Sequence, residues 1–240
     1  MIINIDGKKL KAKEGQTILE LARENGIDIP TLCYNENLAP YGACRLCIVE
    51  IFKNGRSRIV TSCLYPVEEG LEVKTNSPRV INNRKMIMEL LLARCSQNKA
   101  IKELASSMGV EQSVFKPEYL EDSDCMLCGL CVRACEQVVE RSAISLVNRG
   151  VKREVAPPFL EPSPSCIGCG SCSYVCPTGA IKMADKGDIR LLYARNWKKE
   201  FKLQKCKVCG NYWAPEEQVE YMRKKANLPS DFFAVCPNCR

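Results

Sequence analysis

Residues 125–135 read CMLCGLCVRAC, and residues 166–176 read CIGCGSCSYVC. Both stretches follow the pattern C-x2-C-x2-C-x3-C, the second begins 41 residues after the first, and Pro177 follows its last cysteine. This spacing is typical of thiolate ligands to [4Fe–4S] clusters, in which the fourth cysteine of each run binds the other cluster. The repeat therefore predicts two [4Fe–4S] clusters, rather than zinc, with ligands that cross between its halves.

The crossed pattern assigns each cluster three ligands from one run and one from the other. The first predicted ligand set is Cys125, Cys128, Cys131 and Cys176. The second is Cys166, Cys169, Cys172 and Cys135. Between the runs, the residues around Asn148, Arg149 and Gly150 predict a hairpin, and the prolines that follow predict an ordered surface loop.

The chain has 17 cysteines and no histidine in 240 residues. Its CxxC groups are too short for ordinary disulfides, and its polar start is not a secretory signal, so we expect a reducing cytoplasm and metal-bound thiolates. The lack of histidine excludes Rieske centres, the common haem proteins and mixed cysteine–histidine zinc sites.

The formal net charge of +7 does not by itself predict binding to nucleic acid. Each four-thiolate metal site carries a charge of about −2, so four such sites would bring the protein to about −1. No apolar run approaches the roughly 20 residues of a membrane helix, which predicts no membrane insertion. The basic stretch of Lys198, Lys199, Lys202 and Lys205 is expected to form a solvated helix face or a docking face.

The first 75 residues alternate between strand-like and helical patterns. Strands are predicted at residues 2–5, 8–12, 46–53, 58–63 and 71–74. A helix is predicted to begin at the capping box of Thr17 and Glu20 and to end at Gly26. A small mixed sheet with one helix packed across it is the β-grasp arrangement.

The candidate ligands in this segment are Cys33, Cys44, Cys47 and Cys63, spaced C-x10-C-x2-C-x15-C. A loop would supply the first three and a neighbouring strand the fourth, as a [2Fe–2S] site requires. The first gap is longer than the C-x4-C of plant-type ferredoxins. With the strings PTLCYNENLAPYGACRLCIVEI and KTNSPRV, the segment resembles the N-terminal domain of the large iron–sulfur subunit of respiratory complex I and of its hydrogenase relatives.

Residues 77–116 form a predicted helical connector. Ser77 and Pro78 are typical of a helix start, and Val80, Ile87, Leu90 and Leu91 are expected on the inner face of that helix. The complex I relatives carry a cluster with one histidine and three cysteine ligands next, but the stretch LLLARCSQNKAIKELASSMGV has one cysteine and no histidine. That cluster is predicted to be absent, and Cys95 is expected to be a packing residue with no assigned role.

The C-terminal tail carries two further cysteine pairs, separated by a predicted helix from about residue 216 to about residue 227. The predicted ligands are Cys206, Cys209, Cys236 and Cys239. Four thiolates arranged as two knuckles favour a closed tetrahedral site for structural Zn²⁺. A mononuclear iron or a third [4Fe–4S] cluster remains an alternative.

The sequence thus predicts an α+β protein with four parts: a β-grasp [2Fe–2S] domain at 1–76, a helical connector at 77–116, a 2[4Fe–4S] ferredoxin-like domain at 117–190 and a four-cysteine tail, ribbon-like or rubredoxin-like, at 191–240. No phosphate loop, dinucleotide glycine motif or activated nucleophile is found, so no catalytic residue is assigned.

Residues 1–190 are most similar to the small diaphorase subunit of NAD-reducing hydrogenases and of electron-bifurcating relatives. The resemblance implies a non-catalytic electron-transfer subunit in a hetero-oligomer. Its partners would be a flavin-containing NAD(H)-binding subunit and a second redox catalyst, such as a hydrogenase, a formate dehydrogenase or a transhydrogenase. A redox sensor and a freestanding electron carrier remain alternatives.

Overall fold

The computed structural model describes residues 1–116 and 124–240. The chain divides into two compact units, Met1–Gly129 and Leu130–Arg240. The predicted mixture of helices and strands is confirmed. The start of the predicted third domain, at residue 117, lies outside the described residues, and the predicted domain boundaries stay predictions.

A five-stranded sheet forms the body of the first unit. Its strands are β1 (Ile2–Ile5), β2 (Lys8–Lys11), β3 (Ile48–Lys53), β4 (Arg56–Thr61) and β5 (Glu72–Lys74). The strand order is β2-β1-β5-β3-β4. The β1–β5 pair is parallel, and the other neighbouring pairs are antiparallel. The five predicted strands are therefore present, each within two residues of its predicted bounds.

Helix α1 (Ile18–Glu24) packs its apolar face into the core of this unit. The predicted capping box is present: the Glu20 N–H donates to Thr17 Oγ1 at 3.3 Å, and the Thr17 N–H donates to Glu20 Oε2 at 2.8 Å. The buried core includes Ile3, Ile5, Leu21, Val49 and Val73. This core holds the two ends of the loop between α1 and β3, which carries three of the candidate ligands.

The connector contains α2 (Pro78–Arg94) and α3 (Lys99–Ser107). Ser77 caps α2 by accepting a hydrogen bond from the Val80 N–H at 3.3 Å. The expected inner face is correct at Val80 but wrong at Leu90, whose side chain is 50% exposed. The buried residues of α2 are Val80, Arg84, Met88 and Leu92. The buried stripe thus follows an i, i+4 spacing that includes a charged residue.

Arg84 occupies this buried stripe because backbone carbonyl groups accept hydrogen bonds from its guanidinium. Its Nε donates to the Leu46 carbonyl at 3.0 Å, and its Nη2 donates to the Ile48 carbonyl at 2.7 Å. Burial lowers the pKa of Arg84. The side chain therefore ties α2 to the backbone on both sides of Cys47.

The second unit begins with α4 (Leu130–Arg133), which continues as a π-helical turn at Ala134–Val138. The predicted hairpin around residues 148–150 is present as β6 (Ser145–Val147) and β7 (Glu154–Ala156). The other α-helices and β-strands described in this unit are α5 (Ser171–Tyr174), β8 (Lys182–Lys186), β9 (Ile189–Ala194), β10 (Trp197–Lys205), β11 (Tyr212–Pro215) and α6 (Glu216–Lys225). Strands β8 to β11 form an antiparallel sheet in the order β11-β10-β9-β8.

The basic stretch from residue 198 to residue 205 lies in strand β10, so the predicted helix face is wrong. Trp197, Phe201 and Leu203 are buried, at the period of two that a strand produces. Strand β9 spans residues 190 and 191, between which the predicted ferredoxin-like domain ends and the predicted tail begins. One sheet therefore includes residues from both predicted domains.

In the described ranges, the helices are too short or too polar to cross a membrane.

We predict that Arg84→Met lowers the free energy of unfolding by about 3 kcal/mol, because two buried carbonyl groups lose a charged donor. Urea denaturation of the reconstituted protein, followed by circular dichroism, measures the change. Lys85→Met is the matched control, since Lys85 is exposed on the same helix. A loss below about 1 kcal/mol for Arg84→Met would contradict the importance of this contact.

Candidate metal centres

The four N-terminal cysteines lie in one buried region of the first unit. Cys33 and Cys44 belong to the loop after α1, Cys47 directly precedes β3, and Cys63 follows β4 by two residues. None of the four is more than 5% exposed. The Sγ atoms of Cys47 and Cys63 lie 3.3 Å apart, and the Cys44 N–H donates to the Sγ of Cys33 at 3.4 Å. The fold therefore gathers the predicted ligands as two neighbouring pairs.

Hydrogen bonding and burial shift the pKa values of these thiols in opposite directions. Hydrogen bonding with Cys63 lowers the pKa of Cys47 to about 6, whereas the same bond and burial raise the pKa of Cys63. Hydrogen bonding with Cys33 and burial raise the pKa of Cys44. Closely spaced buried thiols ionise together only when a cation compensates their charge. This all-sulfur donor set fits a [2Fe–2S] cluster.

A cavity of about 370 Å³, including the solvent at its mouth, lies in the second unit. Four predicted ligands line it: Cys135, Cys166, Cys169 and Cys172. Its wall also includes Ile144, Leu192 and Trp197. The fold thus brings the last cysteine of the first run together with three cysteines of the second run. The donor chemistry of this cavity fits a [4Fe–4S] cluster.

Strand β10 supports the loop that carries Cys166 and Cys169. Gly168 lies between these cysteines at a φ of +69°, and a Cβ atom there would lie 2.7 Å from the ring of Phe201. Phe201 is only 1% exposed, so its ring has little room to move. Glycine is therefore required at this position both by its backbone conformation and by the close approach of the ring.

Two cations are held next to this cavity by backbone carbonyl groups. The Nζ of Lys199 donates to the carbonyls of Ser163 and Cys166, both at 2.9 Å. The Nε of Arg141, a residue of the cavity wall, donates to the Ser165 carbonyl at 2.9 Å. Burial raises the pKa of Cys166, and the charge of Lys199 opposes that shift. These cations would offset negative charge on the cysteines of this region if a bound metal ionised them.

Lys199 was predicted to lie in a solvated helix face or a docking face, not beside a metal site. Lys199 alternates with Trp197, Phe201 and Leu203, so the four side chains share one face of β10. The alternation of Lys199 with apolar residues could have indicated that its side chain faces the protein interior. The other lysines of the segment instead favoured a solvent-exposed face.

The other predicted cubane set is divided between the two units. Cys125 and Cys128 belong to the first unit, and Cys131 and Cys176 belong to the second. The Cys125 carbonyl accepts a hydrogen bond from Arg94 Nε at 2.9 Å. The Sγ of Cys176 accepts one from the Ala180 N–H at 3.2 Å. This ligand set stays a prediction.

The tail cysteines converge on one point: Cys206, Cys209, Cys236 and Cys239 have sulfur atoms that all lie within 4.8 Å of one another. The Sγ atoms of Cys209 and Cys236 are 3.9 Å apart. Around one tetrahedral ion with metal–sulfur bonds of about 2.3 Å, sulfur atoms lie about 3.8 Å apart. A backbone hydrogen bond from Cys236, at 3.3 Å, lowers the pKa of Cys206 to about 6. The spacing matches a single metal ion.

Cys95 belongs to none of the predicted ligand sets. It is fully buried at the C-terminal end of α2, where burial raises the pKa of its thiol to about 12. A buried, protonated thiol at a helix end is consistent with the packing role that the sequence predicted.

Comparison with known proteins identifies two modules. Residues 1–78 match the family described as "2Fe-2S iron-sulfur cluster binding domain", and residues 165–182 match "4Fe-4S binding domain". Fold and cysteine pattern together define an iron–sulfur protein with one [2Fe–2S] domain and a [4Fe–4S] motif.

Similar proteins come from redox complexes. The NADP-reducing hydrogenase subunit HndD of Solidesulfovibrio fructosivorans is 36% identical over 75% of this chain and 36% of its own length. The NADPH-Fe(3+) oxidoreductase subunit alpha of Geobacter sulfurreducens is 33% identical over 75% of this chain and 24% of its own length. The chain thus spans about a third of the length of the first relative and about a quarter of the length of the second.

A solved structure is covered over more of its own length. A chain from the crystal structure of NAD+-reducing [NiFe]-hydrogenase in the H2-reduced state matches with 30% identity and a TM-score of 0.59, over 65% of this chain and 74% of that one. The chain therefore belongs to the family of iron–sulfur subunits of NAD(P)-linked hydrogenases and oxidoreductases, as its sequence predicted.

We predict that Gly168→Ala removes most of one [4Fe–4S] cluster, because the added methyl group would collide with the buried Phe201 ring. Iron analysis and electron paramagnetic resonance (EPR) of the anaerobically reconstituted chain measure the loss.

Gly179→Ala is the matched control for this variant. Gly179 has a similar φ of +63° but open space around the added atom, so it experiences the backbone strain without the collision. Equal cluster content in the two variants would show that the contact between Gly168 and Phe201 is not required.

Proposed function

We propose that this chain relays single electrons between a flavin-containing subunit that exchanges a hydride with NAD(H) and a second redox catalyst. The observation that carries this proposal is the cavity in which Cys135 meets Cys166, Cys169 and Cys172. A cubane held there by crossed ligands would lie close to its twin in the repeat, as electron transfer between clusters requires. The second catalyst is a hydrogenase, a formate dehydrogenase or a transhydrogenase.

The proposed cofactors are one [2Fe–2S] and two [4Fe–4S] clusters. The first would be held by Cys33, Cys44, Cys47 and Cys63, whose buried sulfur pairs supply four thiolates. One cubane would be held by the cysteines of the cavity. The other, proposed from the sequence repeat, would be held by Cys125, Cys128, Cys131 and Cys176. When bound, such clusters accept and donate one electron at a time.

We propose Zn²⁺ for the site of Cys206, Cys209, Cys236 and Cys239. The sulfur spacing favours a single ion over a cubane, whose ligands surround a larger core. A mononuclear iron has the same geometry and remains the alternative. Because Zn²⁺ has no redox chemistry, its contribution would be to fix the two knuckles that follow β10 and precede the chain end.

The four proposed domains follow the observed elements in part. The first sheet and α1 support a β-grasp fold for residues 1–76, and α2 and α3 support a connector at 77–116. The repeat supports a ferredoxin-like domain at 117–190. The knuckles support a zinc-ribbon-like tail at 191–240, although its sheet begins with β8.

The proposed partners follow from the chemistry of the relay. A hydride carries two electrons, whereas an iron–sulfur cluster passes one, and flavin is the usual converter between the two. The relatives named above are subunits of NADP- or NADPH-linked enzymes. We therefore propose a hetero-oligomer in a reducing cytoplasm, with a flavin subunit at one end of the chain. The flavin would convert the two-electron hydride transfer into single-electron transfers to the clusters.

We predict that the isolated, flavin-free chain does not oxidise NADH, because no nucleotide motif is present in its sequence. After anaerobic co-purification with a flavin-bearing partner, NADH should bleach the cluster absorbance. Stopped-flow spectroscopy at visible wavelengths measures both reactions.

Cys63→Ala and Cys95→Ala form the matched pair for this experiment, since both replace a buried cysteine but only Cys63 is a proposed ligand. Cys63→Ala should abolish the [2Fe–2S] signal and slow NADH-dependent bleaching, and Cys95→Ala should change neither. NADH oxidation by the flavin-free chain, or the lack of a stable flavin-bearing partner, would refute the relay.

A further inference from the structure

The indole N–H of Trp197 is buried beside the sulfur-lined cavity. Trp197 opens strand β10, is 7% exposed and forms part of the wall that includes Cys135, Cys166, Cys169 and Cys172. Within the described parts of the chain, its Nε1 atom has no hydrogen-bond acceptor. Trp197 therefore contributes an unpaired donor to the wall of a cavity whose sulfur atoms accept hydrogen bonds.

An unpaired buried N–H group is destabilising, and such groups nearly always have a partner in native proteins. In the wall, Ile144 and Leu192 offer no acceptor side chain, and the Ser171 hydroxyl oxygen lies 3.4 Å from Cys169 Sγ, which donates to it. The acceptors that belong in this cavity are thiolate sulfur atoms and the inorganic sulfides of a cluster. Hydrogen bonds to these sulfur atoms are among the contacts that set the potential of iron–sulfur clusters.

We propose that Trp197 donates its indole N–H to a sulfur atom of the cubane held by Cys135, Cys166, Cys169 and Cys172, and thereby raises the reduction potential of that cluster. The inference rests on the proposed cubane at these cysteines. The reduced cluster carries one more negative charge than the oxidised cluster, so a hydrogen-bond donor stabilises the reduced form more strongly. Trp197 is thus a tuning residue, and its indole nitrogen is required in addition to its bulk.

A packing role alone would require only the aromatic ring. Phenylalanine keeps a ring at this position and removes the N–H, so Trp197→Phe separates the two roles. Trp213→Phe is the matched control because the Nε1 of Trp213 is also buried without a partner among the described residues. Trp213 lies in β11, packs against Phe233 at a centroid distance of 6.1 Å and is not part of the cavity wall.

Redox titration followed by EPR tests the proposal on the reconstituted full chain. In Trp197→Phe, the midpoint potential of one [4Fe–4S] cluster should shift to a lower value, while the other cubane and the [2Fe–2S] cluster keep theirs. Trp213→Phe should titrate like the unmodified chain. Unchanged midpoints in a fully iron-loaded Trp197→Phe protein would overturn the role of Trp197.

A second measurement does not depend on the stability of the Trp197 variant. The chain has two tryptophans, so in Trp213→Phe only Trp197 supplies an indole nitrogen. After ¹⁵N-indole labelling, pulsed EPR of the reduced protein should detect hyperfine coupling between that nitrogen and one cubane. Absence of the coupling would overturn the proposal. Absence of any [4Fe–4S] signal in the unmodified chain would instead overturn the proposed function, and this inference with it.

Discussion

The burial of ionised sulfur is the constraint on which this structure depends. Four thiolates at one site repel each other and lose hydration, so they need a metal and nearby positive charge. Arg84 lies against the backbone beside Cys47, and Lys199 and Arg141 lie against the loop that carries Cys166. The excess of basic residues is thus placed in part where the cofactors would carry negative charge.

Strand β10 connects the four-cysteine tail to the sulfur-lined cavity of the second unit. One face of the strand contributes Trp197 to the cavity wall, Lys199 to the Cys166 loop and Phe201 to the contact with Gly168. Cys206, the first ligand of the tail site, directly follows the last residue of the strand. A structural metal ion there would fix the end of β10, so the tail would support an electron-transfer site without taking part in redox chemistry.

Sequence patterns governed by local rules predicted much of this architecture. The capping box at Thr17 and the cap at Ser77 each depend on residues close together in the chain, and the structure places both as expected. The buried position of Arg84 and the strand character of residues 197–205 were not predicted. Both depend on partners distant in sequence: carbonyl groups of another element for Arg84, and neighbouring strands for a lysine-rich segment.

Mössbauer spectroscopy of the ⁵⁷Fe-enriched chain, combined with zinc analysis, decides whether the proposed clusters are present. The ligand sets predict about ten iron atoms per chain, of which about two belong to a [2Fe–2S] cluster and about eight to [4Fe–4S] clusters, with one zinc ion. A spectrum dominated by mononuclear tetrathiolate iron, or one without [4Fe–4S] components, would contradict the electron relay.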